Sequence, residues 1–170
     1  MSPSLSEVEA LVSQLAQKID APEEYLPTYG DSKDGGHPYI EIESGVLFYL
    51  AKERGQQTLY YIALDLDDLL YHIFKDVTFM IATKYELKNR VRGQSFRRIL
   101  FIEQERLIGV LDEKWQARLQ KKHEQILVDH PFNDNADERA TYYKQLVKNH
   151  QYPGNEWSLA CEKYPLPDKN

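Results

Sequence analysis

Apolar residues in the longest patterned stretch of the chain return every three or four positions: Leu66, Leu69, Leu70, Ile73, Phe74, Val77, Met80, Ile81, Leu87 and Val91. That spacing lines one face of a helix and predicts one over 65–92. Asp65, Asp67 and Asp68 stand at its start, and Lys88, Arg90 and Arg92 at its end. Both groups oppose the helix dipole with favourable charge, and Gly93 follows where a left-handed residue can stop the helix. At about 1.5 Å per residue such a helix runs roughly 40 Å, so the rest of the chain must pack around it.

The same test organises the flanks. Val8, Leu11, Val12, Leu15, Ala16 and Ile19 form one stripe, with Ser4 or Ser6 as its cap and Ala21-Pro22 as its end. Residues 22–37 are rich in Pro, Gly and Asp and predict a loop and a turn. Three strand-like runs follow, 38–42, 46–50 and 58–62, with Ser44-Gly45 and Arg54-Gly55 as turns between them. Beyond Gly93, Ser95 can cap a helix carrying Phe96, Ile99, Leu100, Ile102, Leu107 and Ile108. Asp112 can cap a renewed helix through Trp115, Leu119, Ile126 and Leu127, and His130-Pro131 ends it. Asp134 can cap a last helix through Tyr142, Tyr143, Leu146 and Val147. From Gln151 the chain is turn-rich, with Trp157 and Leu159 as possible anchors. The expected fold is α+β: a three-stranded antiparallel meander packed against a mainly helical C-terminal half built on one long helix, 65–92. A single domain over 1–170 with a loosely ordered tail over 151–170 is expected.

Composition narrows the class. With 42% apolar and 28% charged residues, this is a globular chain rather than a disordered one. Cys161 is the single cysteine, so no disulfide within one chain is possible. The first residues lack the basic and apolar pattern of a secretory signal, and no apolar run approaches a membrane span, so a cytoplasmic location is expected. The net charge of −6 is uneven: residues 1–80 hold 5 Lys/Arg against 14 Asp/Glu, and residues 81–128 hold 11 against 6. An acidic first half can attract a basic partner. Nucleic acid is not an expected partner, because acids interrupt the basic middle.

Little points to chemistry. No P-loop, HExxH, GxSxG or GxGxxG occurs, and no cofactor is expected. His72 and Asp76 lie one helical turn apart and can share a proton or a metal, but spacing suggests no third ligand. Between Lys84 and Arg98, Glu86 and Arg90 are spaced as a helical ion pair. If the chain folds back at Gly93, Arg97 and Arg98 can return toward Glu86. Such a cluster is either a polar clasp between helices or an active site. A small enzyme using His72, Asp76, Glu86 and Arg97 is one alternative; a homodimeric adaptor pairing through helices over 95–129 is another.

The words LDLDDLLYHIF (64–74), DVTF (76–79), YEL (85–87) and GQSFRRILF (93–101) resemble the immunity protein 63 family of bacterial polymorphic toxin systems. SLSEVEALVSQLAQKID, YGDSKDGGHPYIEIE and HPFND are also similar to it, so the likeness covers most of 4–135. The family often carries an acidic residue where this chain has Ser95. The resemblance implies a cytoplasmic antidote that binds a cognate toxin domain and neutralises it, with no enzyme activity and no cofactor. Charge adds that the toxin is basic, such as a nuclease. The expected contact set is the acidic loop and hairpin: Glu23, Glu24, Tyr25, Tyr29, Asp31, Asp34, Glu41 and Glu43. Homodimerisation is compatible with toxin binding.

Overall fold

The computed structural model describes residues 3–150 and 152–168. Gln151, Lys169 and Asn170, all in the segment expected to be a loose tail, lie outside the described residues. Helix α1 spans Leu5–Lys18 and a 3-10 turn spans Glu23–Tyr25. Strands β1 (Thr28–Tyr29), β2 (Pro38–Glu43), β3 (Val46–Glu53) and β4 (Gln56–Ala63) follow. Then come α2 (Leu66–Asn89), α3 (Phe96–Leu111), α4 (Glu113–Asp129), α5 (Ala136–Asn149) and α6 (Glu156–Lys163). The class is α+β. Among the described residues no helix is long and apolar enough to cross a membrane.

The sheet corrects one expectation. It has four strands in the order β1-β2-β3-β4, not three, because β1 pairs with β2 in parallel. Two residues are too few to show an alternating pattern; β1 exists through its partner, with Gly30 N–H donating to Ile40 O at 2.8 Å. The two expected hairpins form. Ser44 and Gly45 have φ of 50° and 82°, and Arg54 and Gly55 have 51° and 75°. Positive φ at both central residues matches the twist of the flanking strands.

The described chain divides into two compact units, residues 1–81 with 104–117, and residues 82–103 with 118–170. In the first, the inward face of β3 buries Leu47, Tyr49 and Ala51, while α2 buries Leu69, Ile73, Phe74 and Val77 and α1 buries Val8 and Val12. Each such Val, Leu, Ile or Phe side chain is worth about 1.5–3 kcal/mol when removed from water. Tyr49 and Tyr61 are register partners on β3 and β4. Their phenols donate to Asp76 Oδ2 (3.1 Å) and Asp68 Oδ2 (2.6 Å). Two turns of α2 are therefore tied to neighbouring strands. Asp65 caps this helix by accepting from Asp68 N–H at 2.8 Å. Asp112 caps α4 by accepting from the N–H groups of Lys114 and Trp115.

In the second unit, Ala82, Leu100 and Phe101 pack with Ile126, Leu127 and Phe132. Here α2 stops at Asn89, short of the expected 92, and Gly93 turns the chain at φ 75°. Ser95 N–H donates to Asp134 Oδ1 at 2.8 Å, so a carboxylate does stand at the start of α3, supplied from another segment. Asp134 is thereby drawn away from capping α5, which begins after Asn135 without a side-chain cap. Within 152–168, α6 places Trp157 edge-on to Tyr143, and buried Arg139 donates to the carbonyls of Tyr164 and Pro165.

Candidate functional site

Strand alternation gives the sheet two unequal faces. On β4, Leu59, Tyr61 and Ala63 turn toward the core side, and Tyr60 and Ile62 turn the other way. Tyr60 is 63% exposed and Ile62 50%. Register places Ile62 beside Phe48, Phe48 beside Glu41, and Val46 beside Glu43. Phe48 and Tyr60 are tilted rings 6.0 Å apart. The outer face therefore carries Val46, Phe48, Tyr60 and Ile62 with Glu41 and Glu43 along one side, while Tyr39 and Leu50 of the same parity are buried, so the face is open only in part. A one-sided antiparallel sheet ordinarily shows polar residues to water. An aromatic and aliphatic cluster there is the informative exception, since exposed apolar patches mark binding surfaces.

The expected contact set is dispersed within the first unit. Glu41 and Glu43 lie on the outer face just described. Glu23, Glu24 and Tyr25 form the 3-10 turn, and Tyr29 sits on β1. Glu23 and Tyr29 line one cleft of about 370 Å³ together with Glu9 and Lys33. Burial, and then the charge of Glu9, pushes the Tyr29 phenol well above its ordinary range. Asp31 is exposed, and its carbonyl accepts from Thr28 Oγ1 at 2.6 Å. Asp34 accepts from Gly55 N–H at 3.2 Å, which ties the loop to the β3–β4 turn. That turn is at the far end of β3 from Val46 and Glu43, roughly 20 Å away at about 3.3 Å per residue. Val46, Phe48, Tyr60 and Ile62 were absent from the expected set. Their signal was the alternation within 46–50 and 58–62, but sequence does not say which parity faces water.

The polar residues of the enzyme alternative are occupied in separate local contacts. His72 lies 3.7 Å from Asp68 and its ring sits tilted against Tyr61 at 3.9 Å, whereas Asp76 accepts from Tyr49. Glu86, whose side chain is 2% exposed, accepts from Arg90 Nε and Nη2, both at 2.8 Å. That bidentate bond holds the Glu86 carboxyl below its ordinary range against the opposing effect of burial. Arg97 donates to His130 O and Pro131 O at 2.7 and 2.8 Å. Arg98 pairs with Asp134 and lies over the Phe132 ring at 4.1 Å. The clasp expected from Arg97 and Arg98 to Glu86 does not form: both arginines bond to residues 130–134 instead. Glu86 sits one turn from Arg90 on the same stretch of chain, and this short loop wins the carboxylate. Among the described residues no group of three His, Cys, Asp or Glu is placed to hold a metal ion.

The family model described as Immunity protein 63 matches residues 43–125. The resemblance to that family therefore holds from the end of β2 to near the end of α4. The similar-looking words before Glu43, and HPFND, lie outside the match. No curated protein matches the chain, and no solved structure does.

Proposed function

We propose that this chain is an immunity protein: it binds a cognate toxin domain one to one in the cytoplasm and neutralises it without chemistry or cofactor. The observation that carries the contact surface is the open part of the sheet face, where Phe48, Tyr60 and Ile62 are exposed or half-exposed beside Glu41 and Glu43. Aromatic anchors flanked by charge are the usual composition of an interface centre and rim. The match over 43–125 includes β3 and β4, the strands that supply those anchors. The acidic set Glu23, Glu24, Asp31, Asp34, Glu41 and Glu43 steers a basic toxin toward this unit, and a nuclease with a positive phosphate groove fits that charge.

The test is co-expression with the protein encoded by the neighbouring gene, read as growth rescue and co-purification. Rescue with a stable complex is expected, as is association that slows with added salt. Absence of both rescue and complex overturns the immunity reading. A complex whose association ignores salt overturns the electrostatic part alone.

A further inference from the structure

The sheet has one long open edge. β1 at the other edge is two residues, whereas β4 is eight, Gln56–Ala63. A register shift near Ala51 and Lys52 leaves Thr58 as an extra residue, so the ladder is regular from Leu59 to Ala63. No charged residue and no proline occurs in β4. Natural edges are usually guarded by those residues, by shortness or by cover. β4 is the last strand in the sheet order, and at its start the Leu59 carbonyl accepts from the Gln57 side-chain amide. Five regular residues match the common length of a strand. Every second one turns its N–H and C=O outward, where another strand can satisfy them in series.

The charge nearby selects the occupant. Glu41 and Glu43 lie on the adjoining face, and Asp65 is exposed just past the end of β4. Residues 1–80 hold 14 acids against 5 bases, so a second copy of this unit would be repelled. We propose that the β4 edge accepts an extended basic segment of the toxin as a fifth strand, with Tyr60 and Ile62 packing against its side chains. This rests on the immunity reading and adds the mode of binding to it.

Hydrogen exchange of the backbone amides over 59–63 tests this, on the full chain alone across a concentration series and on the complex with the co-purified neighbouring-gene protein. Expected is slowing by about tenfold or more, confined to alternate amides of β4 and present only in the complex. A stable complex with unchanged β4 amides overturns strand addition and leaves the immunity function standing. Protection that rises with concentration in the chain alone assigns the edge to a second copy and overturns the proposal. Failure to form any complex removes the immunity reading and this inference together.

Discussion

Arg98 and Asp134 are 36 residues apart in the chain, yet they meet as a bidentate pair, Nε to Oδ1 at 2.9 Å and Nη2 to Oδ2 at 2.8 Å. The same carboxylate accepts from Ser95 N–H. One aspartate therefore satisfies an exposed-edge cation and an orphan donor at a helix start together.

Replacing Asp134 separates these roles. Asp134→Asn keeps an acceptor for Ser95 N–H and, since both partners are a little over one-third exposed, costs about 1 kcal/mol in urea unfolding. Asp134→Ala also strands the N–H of buried Ser95 and costs about 2 kcal/mol. Arg98 and then Ser95 N–H lower the Asp134 pKa to about 2. A depressed carboxylate stabilises the fold above its unfolded value, near 4, and loses that contribution as pH falls toward 2. Acid titration of wild type against Asp134→Asn should converge in that window; parallel curves would refute the pairing.

Alkaline pH reports on Tyr49. Burial raises its phenol well above the ordinary value, and the charge of Asp76 and the bond to it add to the shift. A raised pKa contributes stability that is full below the unfolded value, about 10, and declines as pH climbs past it. Ultraviolet titration should show the same number of tyrosines ionising before unfolding in wild type and Tyr49→Phe, and one fewer ionising with unfolding in the variant; an extra tyrosine ionising before unfolding in wild type would refute the buried, shifted phenol.

Trp115 combines two contacts that substitution can split. Its ring stacks on Phe74 at 6.3 Å and its Nε1–H donates to Asp67 at 3.0 Å. Trp115→Phe keeps most of the stacking and loses a bond to a charged acceptor, about 1.5 kcal/mol. Trp115→Ala leaves a cavity and costs about 3–5 kcal/mol. Equal losses for both variants, by denaturant unfolding, would put all of the energy in the hydrogen bond.

The outer sheet face should matter for binding far more than for folding. Tyr60→Thr with Ile62→Thr retains strand propensity and changes stability by about 0.5 kcal/mol or less. Toxin affinity should weaken about 1,000-fold, because two anchors worth about 2 kcal/mol each are removed at about 1.4 kcal/mol per tenfold. Calorimetric titration decides; unchanged affinity removes this face.

The loop acids divide by their bonding. Asp31→Lys should slow toxin association several-fold at low salt and leave thermal stability unchanged. Asp34→Lys also breaks the bond to Gly55 N–H and should lower stability by about 1 kcal/mol. Stopped-flow association rates alongside melting curves separate the two effects, and unchanged rates for both would remove the loop from the interface.

Sequence alone determined the local order of this protein. The apolar spacing of α2, the Ser4–Glu7 capping box at α1, Asp112 at α4 and the two Gly-containing turns all act over a few residues. Backbone geometry converts such short patterns directly into structure. Tertiary structure decided what depends on distant partners. β1 needed β2 to exist. Asp134, spaced to cap α5, was taken by Ser95 and Arg98 because a bidentate guanidinium and a helix-start N–H together outweigh one cap. The apolar parity of β4 that faces water followed the same logic: Tyr49 and Tyr61 reach Asp76 and Asp68 on α2, and committing that side to the helix turns Tyr60 and Ile62 outward.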